Sequence, residues 1–178
     1  ACPSGKYSPS PGAFFCELCS AGKYSTWEGA TSSMICQNCM PGKHSVSPGS
    51  SRESDCMSCP AGTYSSMFGA IRCMMCDAGK YSTRTGSTTP ETCLSCGPGT
   101  YLADFGGQSQ GDCMQCPHGT YSTWWGATSI EMCIACAPGK YAAELGLTKE
   151  TDCLPCPAGT YSLEWEGWLS SSCRGCIA

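Results

Sequence analysis

"CPAGTYS" occupies Cys59–Ser65 and returns letter for letter at Cys156–Ser162. A verbatim heptapeptide within 178 residues makes internal repetition the first property to read, because a fixed period decides architecture before any local propensity does. Cys-x-x-Cys pairs stand at 16/19, 36/39, 56/59, 73/76, 93/96, 113/116, 133/136, 153/156 and 173/176. The step is 20 residues, except for 17 between the third and fourth pairs. Three residues after each second Cys comes a Gly, and two further on a Tyr: Tyr7, Tyr24, Tyr64, Tyr81, Tyr101, Tyr121, Tyr141 and Tyr161, which are all eight of the chain. His44 holds the ninth such slot. A second Gly follows five residues later, slipping by one in the last copy to Gly167.

The unit is therefore C-x-x-G-x-Y-S-x-x-x-G-x(4–6)-C-x-x. It divides the chain into repeats at 1–16, 17–36, 37–56, 57–73, 74–93, 94–113, 114–133, 134–153 and 154–173, with 174–178 opening another. The closed loops 2–16 and 59–73 are three residues shorter than the rest. Cys2 fits as the second member of a pair that begins before Ala1, and Cys176 as a cysteine whose partner lies past the end. We expect an internal piece or mature form of a longer protein.

Nineteen cysteines are the composition of a disulfide scaffold in an oxidising compartment, so a secreted protein or the extracellular face of a cell is expected. Charged residues are 13% and the net charge is −4, which offers no electrostatic footprint for nucleic acid. No run approaches the ~18–20 apolar residues of a membrane-spanning helix. The apolar fraction of 41% includes every cysteine. Little branched aliphatic material is left for one large core, so many small stapled modules are expected.

Each slot has a physical reading. A Gly at a fixed offset suits positive φ or a close backbone approach. The Tyr can pack flat against a disulfide, and the Ser after it can bond to nearby backbone. No segment keeps a helical period. Short β-ladders, turns and almost no helix follow. The two residues inside each Cys-x-x-Cys pair read as a joint whose first member is often apolar (Met57, Met74, Leu94, Met114, Ile134, Leu154) and packs on a tyrosine of a neighbouring module. Stacking is expected between nearest neighbours only, giving an extended rod-like array.

C-x2-C-x16-C-x2-C is also a zinc-ribbon spacing. Zinc would consume the pairs two by two, yet nine pairs cannot all be matched and no alternation of odd and even units appears. Structural disulfides remain. The simplest connectivity joins Cys2–Cys16, Cys19–Cys36, Cys39–Cys56, Cys59–Cys73, Cys76–Cys93, Cys96–Cys113, Cys116–Cys133, Cys136–Cys153 and Cys156–Cys173. The three-residue deletions then fall inside closed loops, and the two-residue spacer never varies.

This unit resembles the ephrin-receptor-like cysteine-rich repeat, found in tandem in many extracellular and cell-surface proteins. It is similar to the one-disulfide module that opens tumour-necrosis-factor-receptor cysteine-rich domains. That likeness implies the same loop closure and covers essentially the whole chain. The crossed disulfides of the full receptor domain have no cysteines here, so cytokine binding does not carry over. Long pure arrays of this repeat look like stalks and surface fibres.

No nucleophile–base set can be assembled from residues outside the repeat, since His44 and His118 are single substitutions in repeat slots. No catalytic residue, metal or cofactor is assigned. Asp55, Asp112 and Asp152, each before a cysteine, are lone carboxylates rather than a calcium cluster. The side chains that differ between copies are the candidates for partner contact: Trp27, Phe68, Phe105, Trp124, Trp125, Trp165 and Trp168, most of them just before the second Gly. Trp165 and Trp168 also match the W-x-x-W pattern of tryptophan C-mannosylation. No N-x-S/T sequon occurs, and O-linked glycan on the abundant Ser and Thr is the candidate modification. The leading expectation is a non-enzymatic structural array, a rigid spacer or building block of an extracellular fibre or surface glycoprotein, whose partners are copies of itself or other chains of the assembly. The alternative is a receptor or adhesion ectodomain that binds a protein ligand through the aromatic loops.

Overall fold

The computed structural model describes residues 1–10, 12, 14–161 and 173–175. They fall into two units, Ala1–Cys76 with Ser82–Cys93, and Asp77–Tyr81 with Leu94–Ala178.

Each repeat begins by reversing direction. In the first unit Lys23 N–H donates to Ser20 O at 3.1 Å, closing a four-residue turn whose third residue, Gly22, has φ +79°. That is the type II requirement for glycine. In the second unit the same turn runs Ala137 to Lys140 at 3.0 Å, with Pro138 in the second position, where its ring presets φ.

The chain then runs Lys23–Tyr24 antiparallel to Gln37–Asn38, and Cys39 N–H donates to Gly22 O at 2.8 Å. The spacer inside a Cys-x-x-Cys pair is thus the return strand of the loop before it. Nine such two-residue ladders occur among the described residues. Strands this short do not persist alone. Nine disulfides hold them: Cys2–Cys16, Cys19–Cys36, Cys39–Cys56, Cys59–Cys73, Cys76–Cys93, Cys96–Cys113, Cys116–Cys133, Cys136–Cys153 and Cys156–Cys173. Each closes a loop of sequence separation 14 or 17, worth about 3 kcal/mol against the unfolded chain.

Repeats are joined by backbone. In the first unit Gly22 N–H donates to Ser45 O (2.8 Å), Ser25 N–H to Ser50 O (3.1 Å) and Gly49 N–H to Cys19 O (2.7 Å). The same three bonds recur in the second unit from Gly99 to Ser122, Leu102 to Ala127 and Gly126 to Cys96, at 2.8–3.0 Å.

Stacking is not confined to nearest neighbours. A Cβ built on Gly22 would overlap the carbonyl oxygen of Gly69, two repeats on, and stand 2.7 Å from its carbonyl carbon. The same holds at Gly5, Gly42, Gly79 and Gly99, where a loop two repeats on folds back over the first glycine, so these slots exclude a side chain sterically as well as by their φ.

The interior consists of sulfur and small side chains. Cys19, Cys39, Cys59, Cys76, Cys96, Cys116 and Cys136 expose nothing, and Ser25, Ser65, Ser82, Ser122, Ala127 and Ala142 are buried around them. The tyrosines are mostly half-buried, and two of them lean on the disulfide of the following repeat: Tyr81 packs on Cys96, Leu102 and Cys113, and Tyr121 on Cys136, Ala142 and Cys153.

Loop length has a simple reading. Six long loops each carry one three-residue 3-10 turn before the closing cysteine, such as Gln110–Asp112 and Glu150–Asp152. The short loop 59–73 has none, so the three missing residues correspond to that turn. No described helix is long and apolar enough to cross a membrane.

Candidate interaction surface

The tips of loops 19–36 and 116–133 are fixed at both ends. At the start of each the buried serine accepts a hydrogen bond from the amide two residues on: Trp27 N–H to Ser25 Oγ at 3.2 Å, Trp124 N–H to Ser122 Oγ at 3.4 Å. At the end of each the second glycine turns with positive φ, +69° at Gly29 and +68° at Gly126, and donates its amide to the preceding repeat. Whatever lies between is forced outward, apolar or not. Trp27 is 64% exposed, Phe68 62%, Phe105 64%, Trp124 56% and Trp125 70%. Polar tips, such as Thr83, Arg84 and Thr85, are exposed in the same slots. Trp165, Gly167, Trp168 and Cys176 lie outside the described residues.

A second apolar row was not legible as exposed. The first spacer residue stands opposite the tyrosine of its own ladder, Met74 against Tyr64, Leu94 against Tyr81 and Ile134 against Tyr121. It nevertheless leaves about half its surface in solvent, as do Leu18, Met57, Met75, Met114 and Leu154. The signal was present in the text as an apolar letter recurring in a two-residue strand, with nothing to bury its outer face. Phe14, Phe15 and Met34 are exposed as well.

The carboxylates before the cysteines cap the 3-10 turns. Asp55 accepts from the amides of Ser51 and Arg52, and Asp152 from those of Thr148 and Lys149. Asp112 accepts from the amides of Gln108 and Ser109 and from the Ser109 hydroxyl. The Gln108 amide first, then the two Ser109 donors, holds its carboxyl below the ordinary carboxylate range. A hydrogen bond with Glu17 pushes the Tyr7 hydroxyl up. Two exposed ion pairs, Lys43–Glu53 and Lys140–Glu150 at 3.5 and 3.1 Å, contribute about 0–1 kcal/mol each.

His118 is exposed within the turn that ends at Thr120. Among the described residues one group brings metal-ligating atoms together: His44, Cys59 and Cys73, within 4.8 Å of one another. The two sulfurs are bonded to each other, so neither is free to bind a metal in this state.

The pattern of the family described as tyrosine-protein kinase ephrin type A/B receptor-like matches residues 53–93 and 87–133. Residues 53–133 are ephrin-receptor-like cysteine-rich repeats. The disulfide series continues the same unit to either side of the ephrin-receptor-like stretch. Repeats of this family are typically non-catalytic extracellular modules, and the disulfide density agrees with an extracellular or cell-surface location. No curated protein sequence matches the chain.

Proposed function

We propose that these repeats form a structural element, a spacer or building block of an extracellular fibre or cell-surface glycoprotein. The observation that carries this reading is the separation of backbone from tip. The three bonds joining repeats are backbone to backbone, at slots occupied mainly by Gly, Ser, Ala and Cys. An array built this way lengthens by copying and is indifferent to what its tips carry. The exposed aromatics and the apolar spacer row then serve contacts with copies of the chain or with other chains of the assembly, and exposed Ser and Thr are the sites for O-linked glycan. Electron microscopy of the purified chain over a range of concentrations tests this. Regular end-to-end or lateral assembly is expected, and discrete monomers at every concentration would overturn it.

A receptor or adhesion ectodomain is the second reading. It is favoured by the adjacent Trp124 and Trp125, since tryptophan is enriched where binding energy concentrates. Trp124→Ser with Trp125→Ser would then abolish capture of a protein ligand. A fibre held along many repeats would lose assembly only in part.

A further inference from the structure

In the described clusters a tyrosine ring leans on the next repeat's disulfide, as Tyr81 does on Cys96–Cys113 and Tyr121 on Cys136–Cys153. One repeat departs from this. His44 fills the slot, and its Nδ1 lies 3.3 Å from Cys73 Sγ. That sulfur carries no proton in the disulfide, so the ring nitrogen is the donor. The bond beside it, Cys59–Cys73, closes the short loop that lacks the 3-10 turn. Cys59 is fully buried, whereas Cys73 and His44 are only half-buried.

We propose that Cys59–Cys73 is the disulfide of this array that opens first to a dithiol, and that the opened pair with His44 forms a three-ligand zinc site. Thiolates are disfavoured against apolar rings and favoured beside polar hydrogen-bond donors, so histidine in place of tyrosine beside Cys73 assists that sulfur's departure as thiolate once the mixed disulfide has formed. The dithiol's thiolate attacks the accessible Cys73 sulfur. The S–S bond breaks, its electron pair leaves on Cys59, and a mixed disulfide to Cys73 forms. The second thiolate of the dithiol attacks its own sulfur in that bond, closing a cyclic disulfide and releasing Cys73 as thiolate. Two electrons pass from the dithiol to the pair.

Tetrahedral zinc with two thiolates and an imidazole holds its ligand atoms ~3.5–3.8 Å apart. The three side chains already place theirs within 4.8 Å, with Cα atoms of the two cysteines 5.7 Å apart. Side-chain rotation suffices to reach that geometry, and the half-buried side of the site leaves the fourth position to water. Zinc bound there would hold the loop in its open form.

Limited reduction of the full chain with dithiothreitol, followed by thiol alkylation and peptide mapping, should label Cys59 and Cys73 before any other cysteine. After anaerobic removal of the reductant, cobalt(II) as a spectroscopic probe should give tetrahedral thiolate bands at one ion per chain, displaced by zinc. The control is His44→Tyr, which installs the array's own residue and should fold normally. It should slow opening of Cys59–Cys73 and weaken cobalt binding by at least about tenfold. Another disulfide opening first, or cobalt bound equally well by His44→Tyr, would overturn the proposal.

Discussion

Gly99 and Gly126, one in each of the two glycine slots of the unit, both turn with positive φ, +75° and +68°. A Cβ on Gly99 would overlap the carbonyl oxygen of Gly146 and stand 2.7 Å from its carbonyl carbon, whereas one on Gly126 would come no nearer than 3.4 Å, to the Ser95 hydroxyl. The comparison separates two demands that one letter conceals. Positive φ is a property of the turn within a repeat. The roof over the slot is contributed by a loop two repeats further on.

Substitution can break or sharpen this contrast. Gly99→Ala combines left-handed backbone strain of about 1–2 kcal/mol with displacement of packed backbone. A loss on the order of 4 kcal/mol, in the range reserved for severe lesions, is expected in thermal unfolding of the oxidised chain. Equal tolerance of alanine at Gly99 and Gly126 would remove the roof from the explanation.

Replacing Cys96 and Cys113 together by Ser should cost about 3 kcal/mol, the loop-closure contribution. It should also expose the 94–113 loop to proteolysis, because Leu102 and Tyr81 lose the sulfur they pack on. Gly126→Ala should cost little beyond the turn strain, about 1–2 kcal/mol, measured in the same melts.

Smaller still is the cap at Asp112. Its folded carboxyl titrates below the unfolded value. Its contribution is therefore complete above the unfolded value and lost as pH falls through the folded one. The melting difference between Asp112→Asn and the parent chain should be present at neutral pH and vanish in acid, as pH falls through the lowered folded-state titration. A difference that grows in acid would show that the carboxylate does not cap the turn. Smallest of all is Trp125→Ser, at the outward tip next to Gly126. Its unfolding should stay within about 0.5 kcal/mol of the parent, while assembly measured by light scattering falls. A large melting change would mean that this ring is part of the packing.

Much of the fold was legible in the cysteine and glycine spacing. The tandem disulfide loops, the near absence of helix and the ephrin-receptor-like unit all follow from letters at fixed offsets, because closing a loop and turning a chain are local events. The aromatics were legible as letters that vary between copies; that Trp27, Phe68, Phe105, Trp124 and Trp125 are exposed comes from the structure. Three features were not. Met74, Leu94 and Ile134 read as joints packing on a tyrosine, and they do stand opposite Tyr64, Tyr81 and Tyr121, but on a return strand with an open outer face. Tyr81 and Tyr121 pack on a disulfide, but on that of the following repeat. Asp112 looks like a lone carboxylate until the loop brings the Gln108 and Ser109 amides to it.

By itself the sequence determined the module: its length, its staple and the turn at its first glycine, since each depends on residues within about 20 positions of one another. Tertiary structure alone decided how modules overlap. A one-dimensional repeat specifies a period but not the offset at which successive layers meet. That offset is set by backbone hydrogen bonds such as Gly22 to Ser45 and Gly49 to Cys19. It is this offset that roofs Gly22 and Gly99 and brings His44 to Cys73.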